Sequence, residues 1–231
     1  MSLLTTAATA AYQYRAIDAL PLYALKRRKA QKQRGFRAKT TYEHCIKDKV
    51  LIDPLCGSGT ILIEAAFLAL NIAPGIKRNF TAEKWNISES SVWEHERERA
   101  QSLEMRDAAF SAKGFDIDSA AVELTRANAA KAGVSDRINV GQRSIADFSE
   151  DGDYGCVICN PPYGERMLNM RSAEEIYSTM GRVFAPRHGW SYGVISPDET
   201  FEKCFGRRST RRRKLYNGMI RCQYYMYFKE K

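Results

Sequence analysis

The residues most suggestive of chemistry are Asn160-Pro161-Pro162-Tyr163, which follow directly on the apolar run YGCVIC. Proline has no N–H to donate to a strand ladder, so a strand must end here. The Asn160 side-chain oxygen and the Pro161 carbonyl can then accept the two hydrogens of an exocyclic amino group on a base, and Tyr163 offers a flat face for stacking. The pattern predicts a site that orients a base amino nitrogen to attack a methyl group. The alternative is an ordinary proline turn, with Asn160 as a structural strand terminator.

A second candidate site is the loop DPLCGSGT at residues 53–60, which lies between an apolar run and a helical pattern. Gly57 and Gly59 allow a sharp turn and the close approach of a ligand to the backbone. The helix that follows directs free N–H groups toward the same space. The loop has neither a third glycine at the dinucleotide spacing nor a Gly-Lys-Ser/Thr sequence, so nicotinamide and triphosphate ligands are disfavoured.

Two carboxylates complete a nucleoside-binding pattern. Asp116 lies in the run GFDID, near the carboxyl end of a predicted strand, where it can accept both ribose hydroxyls or, alternatively, cap the next helix. Asp147, in RSIADF, is placed to accept a hydrogen bond from an adenine amino group. The glycine loop, Asp116 and Asp147 follow three successive predicted strands, as an adenosine-bearing ligand at a switch point of a parallel sheet requires.

Alternating strand and helix patterns predict the frame that positions these residues. The alternation favours a doubly wound, mostly parallel sheet with helices on both faces and an antiparallel C-terminal hairpin. We predict strands at 49–54, 113–118, 137–144, 154–160 and 190–197, helices at 61–73, 91–112, 119–133, 172–186 and 198–206, and a hairpin at 214–228 that turns at Asn217-Gly218. Residues 1–45 are predicted to form a basic arm or linker, and residues 46–231 the globular domain.

Composition restricts the class of protein. The chain has 231 residues, 44% of them hydrophobic, and no apolar run approaches the ~18 residues of a membrane span. The first residues lack the features of a secretory signal, and the six cysteines lack a disulfide spacing, which predicts free thiols in the cytoplasm. Cys156 and Cys159 lie three apart in a predicted strand and so face opposite sides. No histidine has ligand spacing either, and we expect no metal site.

Positive charge favours a polyanionic partner. The formal net charge is +9, and the segments 26–39 and 207–214 hold eight and six Lys or Arg residues. The second segment supplies the predicted nucleic-acid contacts Arg207, Arg208, Arg211, Arg212, Arg213 and Lys214. Arg166, after the proline turn, is a further candidate phosphate contact. Each run is otherwise a solvated charged face, and Arg166 is otherwise one half of a surface ion pair.

The glycine loop and the proline turn together resemble the amino-group methyltransferases that use S-adenosylmethionine. More narrowly, NIAPG, NPPYGER, FGR and RKLYNGMI resemble the bacterial 23S ribosomal RNA guanine-N2 methyltransferase family, whose members are often labelled N6-adenine-specific DNA methylases. The resemblance runs from about Gly35 to Lys231. It implies a Rossmann-like class I methyltransferase fold, an RNA substrate and no membrane association.

The resemblance also implies roles for individual residues. Asn160 to Tyr163 would hold the target base and act as the catalytic set. The cofactor-binding residues would be Asp53, Leu55, Cys56, Gly57, Gly59, Thr60, Asp116, Ile117, Asp147 and Asn160. Within this set, Asp53 and the glycines would hold the methionine end, Asp116 the ribose and Asp147 the adenine.

Two features differ from the family pattern. Its members usually carry an N-terminal RNA-binding module of the THUMP type, and a helix between RGFR and the first strand that lines the cofactor pocket. The segment here is too short for that helix, which predicts a partly open pocket. Two other functions therefore remain open: an adenine-N6 DNA methyltransferase, and an RNA-binding module that keeps the fold without catalysis.

Overall fold

The computed structural model describes residues 50–84, 90–163 and 170–228 of the chain. Their centre is a seven-stranded sheet in the order β3-β2-β1-β4-β5-β7-β6. The strands are β1 Val50–Asp53, β2 Ala112–Asp116, β3 Ile138–Gln142, β4 Gly155–Cys159, β5 Trp190–Ser196, β6 Arg211–Asn217 and β7 Ile220–Phe228. The helices are α1 Thr60–Ala69, α2 Ser90–Ser102, α3 Ser119–Ala132, α4 Met170–Val183 and α5 Phe201–Phe205, with 3-10 turns at Thr81–Lys84, Ser135–Arg137 and Ile145–Asp147.

The direction of the strands confirms the predicted architecture. The five strands β1 to β5 are all parallel, and β7 joins β5 and β6 in antiparallel pairing. The order of the strands reverses at β1, because β2 and β4 lie on either side of it. Parallel sheets of this kind bind ligands where the order reverses, at the carboxyl ends of the strands. We call that side of the sheet the carboxyl edge.

Each face of the sheet has its own hydrophobic core. On one face, strand residues such as Leu51 and Cys156 pack with α1 and α3. On the other, Ile52 and Cys159 pack with the aromatic residues of α4 and α5. Neighbours in a strand alternate between the two cores, as the pleat requires. This alternation also places Cys156 and Cys159 on opposite faces, as predicted.

The ends of the helices follow local rules, with one correction to α1. Helix α3 begins at Asp118, whose carboxylate accepts the Ala120 N–H over 2.9 Å, and ends at Gly133 with φ 76°. Helix α1 ends at Ala69 and not at residue 73. Asn71, with φ 56°, adopts the left-handed conformation that terminates a helix, so the chain turns before Pro74-Gly75.

The predicted helix 91–112 was wrong in its second half. Helix α2 ends at Ser102, and the Met105 N–H donates to the Leu70 carbonyl over 2.7 Å. The Arg137 guanidinium donates to the Ala108 carbonyl over 3.0 Å, which ties the segment to the turn before β3. These long-range bonds draw the chain toward β2, whose first residue, Ala112, pairs with Leu51. Helical patterning continues past Ser102, but tertiary contacts override it.

The C-terminal hairpin differs from the prediction in two details. Its final pair is Asn217–Ile220, so the turn residues are Gly218 and Met219. Its first strand begins at Arg211, so most of the second basic run forms the edge strand itself and does not precede the hairpin. Arginine has no distinct strand preference, and pairing with β7 is what extends β6.

Candidate functional site

Three strand ends meet at the carboxyl edge. Asp53 is the last residue of β1, Asp116 is the last residue of β2, and Asn160 follows β4 directly. Because β2, β1 and β4 are adjacent and parallel, these residues lie side by side. The structure therefore brings together the predicted glycine loop, ribose-binding carboxylate and target-base turn.

The Asp116 carboxylate faces the glycine loop and does not cap a helix. The Gly57 N–H donates to Oδ2 over 2.9 Å, and the Asp118 N–H donates to Oδ1 over 3.1 Å. Asp118 supplies the helix cap instead, as noted above. Each Asp116 oxygen retains a second lone pair. A fixed carboxylate with two free acceptor positions can hold a pair of adjacent hydroxyl groups.

Helix α3 holds the glycine loop from behind. Thr125 Oγ1 donates to the Gly57 carbonyl over 2.8 Å, and Asn128 Nδ2 donates to the Ser58 carbonyl over 2.9 Å. The C=O and N–H of a trans peptide point in opposite directions, so the peptide between Gly57 and Ser58 directs its N–H away from α3. Sequence reasoning missed Thr125 and Asn128. Their only signal was a spacing of three, which places both on one helical face.

The two glycines of the loop serve different purposes. Both have positive φ, 54° at Gly57 and 78° at Gly59. A Cβ on Gly59 would lie 2.5 Å from Thr125 Cγ2, so this glycine permits the close approach of α1 and α3. A Cβ on Gly57 would meet no atom within 4 Å, so this residue borders open space. The expectation that both glycines admit a ligand stays a prediction, and of their two Cβ positions that of Gly57 is the one that faces open space among the described residues.

Asp53 is a buried carboxyl with an unusual pKa. Its relative exposure is 1%. Burial raises its pKa from the ordinary 3.8 to about 8, with a further increase from the nearby Asp116 carboxylate. The Leu55 N–H donates to Oδ1 over 3.2 Å and opposes this rise. A positively charged group bound beside Asp53 would favour its ionised form.

Cys56 and Thr60 contribute to the loop in different ways. The Cys56 side chain is buried in the core, and burial raises the pKa of its thiol to about 12. The Cys56 N–H donates to the Phe115 carbonyl over 2.9 Å and the Cys56 carbonyl accepts the Gly59 N–H over 2.8 Å, so this residue shapes the loop. Its thiol is not a nucleophile at neutral pH. Thr60 is half-buried at the start of α1, with its hydroxyl 3.0 Å from that of Ser58.

The side chain of Ile117 is 67% exposed, directly after Asp116. Its carbonyl is fixed by a 2.9 Å hydrogen bond from Gln142 Nε2. An exposed isoleucine beside the predicted ribose-binding carboxylate offers an apolar surface that a purine ring can cover. Asp147 lies on the exposed 3-10 turn after β3, capped by the Ser144 hydroxyl. The two residues therefore follow adjacent strands on the same side of the glycine loop.

The Asn160 side chain carries the most informative feature of the site. Its Oδ1 atom is buried and accepts no hydrogen bond from any residue that the structure describes. An unsatisfied buried acceptor costs about 1–3 kcal/mol, so such atoms are rare in native proteins. Pro161 beside it is buried and has no N–H to offer, while Pro162 is half-buried. The turn thus presents a preformed acceptor that lacks a donor.

Tyr163 is anchored to the C-terminal hairpin. Its hydroxyl accepts a short hydrogen bond from Asn217 Nδ2 and also hydrogen-bonds the Cys222 thiol. These contacts fix the hydroxyl end of a half-buried ring at the carboxyl edge. Asn217 was predicted only as a turn residue, because a side-chain contact across 54 residues leaves no local signal in a sequence.

The described residues contain neither a metal-binding group nor a membrane-spanning helix. Within the described ranges, no three His, Cys, Asp or Glu side chains are grouped so that they could hold a metal ion. In the same part of the chain, no helix has both the length and the apolar character needed to cross a bilayer.

Comparison with known proteins assigns the chain to a family. The family model described as UPF0020: RMKL-like, methyltransferase domain, matches residues 43–226. The chain belongs to this family. The resemblance drawn from its glycine loop and proline turn is thereby confirmed.

The RMKL-like domain has curated relatives in several bacteria. YpsC of Bacillus subtilis (strain 168), named provisionally as an RNA methyltransferase, is 38% identical to this chain over 181 residues. The alignment covers 78% of this chain and 47% of YpsC. Ribosomal RNA large subunit methyltransferase K/L of Shewanella amazonensis is 36% identical over 182 residues, and the alignment covers 77% of this chain and 26% of that protein. The chain therefore spans half or less of these relatives.

Solved structures confirm the Rossmann-like class I methyltransferase fold of the RMKL-like domain. SMU.472, crystallised with SAH, aligns with a TM-score of 0.75 at 36% identity, covering 84% of this chain and 52% of that one. A Listeria monocytogenes protein described as a predicted N6-adenine-specific DNA methylase aligns with a TM-score of 0.72 at 38% identity. This alignment covers 79% of this chain and 47% of the Listeria chain.

The basic residues of the RMKL-like domain do not form one cluster. The Arg207 guanidinium donates to the Phe184 carbonyl and lies over the rings of Phe205 and Tyr227. Arg207 is therefore engaged in packing, and it lies at the edge of the sheet opposite Asn160. Arg208 is exposed at that same edge.

The remaining residues of the run alternate along β6. Arg211 and Arg213 lie on the face that carries Leu215, while Arg212 and Lys214 lie on the other. All four are exposed, and those later in the strand lie closer to the carboxyl edge. Arg166 and the basic segment 26–39 lie outside the described residues.

Proposed function

We propose that this chain is an S-adenosylmethionine-dependent methyltransferase that modifies the exocyclic amino group of a base in RNA, with guanine-N2 of 23S ribosomal RNA as its target. The observation that carries the proposal is the buried Oδ1 of Asn160, which has no donor among the described residues and lies one strand away from the glycine loop. An amino group of a base supplies the missing donor. Membership of a methyltransferase-domain family and the name of the ribosomal RNA relative support this choice.

The residues at the carboxyl edge fit the proposed cofactor. Asp116 offers two acceptor positions for ribose hydroxyls, and Ile117 and Asp147 offer an apolar contact and an acceptor for adenine. Gly57 borders open space, and Asp53 is a buried carboxyl suited to a positively charged partner. The SAH bound to a relative of 36% identity supports the same ligand class.

The chain's contribution to the reaction is positioning. S-adenosylmethionine would supply a methyl group on a positively charged sulfur. Asn160 Oδ1 and the Pro161 carbonyl would accept the two amino hydrogens of the base and so orient its nitrogen toward that methyl group. The sulfur–methyl bond would break as the new C–N bond forms, which would leave S-adenosylhomocysteine, and the amino nitrogen would release one proton to water. No side chain needs to become covalently attached.

The deciding experiment is methyl transfer from isotopically labelled S-adenosylmethionine to undermethylated 23S ribosomal RNA. Nucleoside analysis of the product should show labelled N2-methylguanosine. The same assay on unmethylated DNA tests the second enzymatic candidate, which the Listeria protein's description favours and which would give N6-methyladenine. Label in neither polymer would contradict both enzymatic proposals. We further propose that the reaction takes place in the cytoplasm, where ribosomal RNA is found in bacteria.

A further inference from the structure

One face of the C-terminal hairpin carries an exposed tyrosine between two exposed basic residues. Tyr216 is 45% exposed and pairs directly with Arg221 across the hairpin. Lys214 precedes it by two residues on the same face of β6. Directly paired side chains have Cβ atoms about 5 Å apart, and residues i and i+2 lie ~7 Å apart along a strand. We call Lys214, Tyr216 and Arg221 the hairpin patch.

No acidic side chain in the described ranges pairs with the cations of the hairpin patch. Arg212, farther along the same face, lies 3.6 Å from a carboxylate oxygen of Glu202. Neither Lys214 nor Arg221 has an acidic partner among the described residues. The patch therefore presents two free cations beside a ring, the combination used by proteins that bind single-stranded nucleic acid.

The patch adjoins the target-base turn. Asn217, the next residue after Tyr216, donates to the Tyr163 hydroxyl. Tyr216 therefore lies one residue before that contact, with its side chain on the other face of β6, and a strand of RNA that crosses the end of the hairpin can reach both Tyr216 and the base held by Asn160 and Tyr163. Charged side chains on an edge strand also prevent sheet-to-sheet pairing, and this accounts for the cations. It does not require an exposed aromatic ring between them.

We infer that the hairpin patch binds a single-stranded segment of RNA that flanks the target nucleotide. Tyr216 stacks on a base, and Lys214 and Arg221 bind neighbouring phosphates. The inference rests on the proposed function and adds the conformation of the substrate: the nucleotides beside the target are unpaired when bound.

Titration of the full chain with fluorescent RNA tests the stacking. Tyr216→Ala should weaken binding of a single-stranded RNA oligonucleotide about five- to hundredfold, while Tyr216→Phe, which keeps the ring, should bind as the parent does. Binding of a blunt RNA duplex should be unchanged, because its bases are already stacked. The matched control is Tyr154→Ala, since Tyr154 is 43% exposed just before β4, at the opposite edge.

The salt dependence of the same titration tests the phosphate contacts. Lys214→Gln with Arg221→Gln should reduce the slope of log affinity against log salt by up to ~0.7 per lost contact. Arg208→Gln with Arg211→Gln removes two exposed charges far from the carboxyl edge and should leave the slope nearly unchanged.

Two results would overturn the inference: parental affinity for single-stranded RNA in Tyr216→Ala, or an equal loss for single strand and duplex. Cofactor affinity of every variant should match the parent, which shows that the fold is intact. A chain that methylates RNA but binds it independently of Tyr216 rejects this inference alone. A chain that transfers no methyl group to any polymer rejects the proposed function instead.

Discussion

At the scale of single residues, the candidate site consists of polar atoms held in place before any ligand binds. The Asn160 oxygen is buried with no donor in the described part of the chain, and the Asp116 carboxylate is fixed by two backbone N–H groups. Such preorganisation is costly in the free protein and becomes useful only when a ligand supplies the missing partners. Changes to these atoms should therefore affect ligand binding or turnover more than folding.

Asn160→Ala should lower turnover while leaving cofactor affinity unchanged. The lost hydrogen bond strengthens as the amino nitrogen gains positive charge, and a charge-assisted bond is worth about 1.5–3 kcal/mol, or ~10- to 150-fold in rate. Asn160→Asp keeps an acceptor and should retain more activity. Single-turnover rates and calorimetry with S-adenosylhomocysteine separate the two effects. An equal loss of cofactor affinity and rate would make Asn160 a structural strand terminator.

Asp53→Asn should change the pH dependence of stability. The folded-state pKa of about 8 lies above the ordinary 3.8, so the neutral carboxyl is the form the fold favours. The stability that Asp53 contributes is present at low pH and is lost as pH rises from about 4 to 8. Asparagine does not ionise and can still accept the Leu55 N–H. The free energy of unfolding of the variant should therefore rise relative to that of the parent between pH 4 and 8, by at most ~1.4 kcal/mol per pH unit.

Denaturant titrations at pH 5, 7 and 9 measure this effect. The difference in the free energy of unfolding between Asp53→Asn and the parent should grow from pH 5 to 7 and level off above 8. A difference that stays constant with pH would show that Asp53 is ionised in the folded protein throughout. Asp136→Asn is a suitable control, since its side chain is 70% exposed.

At the scale of elements, the glycine loop depends on the helix behind it. Helix α3 supplies two side-chain donors to two successive loop carbonyls, and its Thr125 methyl group occupies the space that a Cβ at position 59 would need. The contact between α1 and α3 therefore also fixes the shape of the loop. Residues of α3, some 70 positions later in the sequence, determine the geometry of the loop.

Thr125→Val tests that dependence. Valine keeps the branched shape but leaves the buried Gly57 carbonyl without its donor, which should raise the dissociation constant of S-adenosylhomocysteine several-fold. Thr125→Ser keeps the hydroxyl and should bind nearly as the parent does. Calorimetry should be paired with thermal unfolding, because a purely structural role would lower the melting temperature of both variants without separating their affinities.

At the scale of the whole molecule, ligand binding should stabilise the folded state by mass action. S-adenosylhomocysteine at about 100 times its dissociation constant should add ~2.7 kcal/mol, which raises the melting temperature by about 5–10 °C for a chain of this size. Asp116→Asn should lose much of this shift, since an amide is a weaker acceptor for ribose hydroxyls. Absence of any shift in the parent would favour the non-catalytic RNA-binding module.

Sequence patterns predicted the sheet and most of the strand ends, because apolar runs that halt at Asp53, Asp116 and Asn160 are local signals. The same patterns missed what depends on contacts between distant segments. Helix α2 stops where Met105 bonds to Leu70, and Tyr163 is held by Asn217. Which residues of the basic run pack, form ion pairs or remain exposed depends on the position of β6 at the edge of the sheet, and that position has no local signal in the sequence. The individual roles of the site residues remain predictions.

The position of β7 between β5 and β6 also sets the order in which the molecule can be completed during synthesis. Strand β6 emerges from the ribosome before β7 but has no partner until β7 arrives. Until then, β5 presents an open edge, and Asn217 has no fixed strand from which to reach Tyr163. The proposed base-binding side of the described fold is therefore completed after the proposed cofactor side, which already has all of its strands. A nascent chain that stalls before Phe228 would hold the strands β1 to β5 with one unprotected edge, a form that chaperones and proteases can recognise.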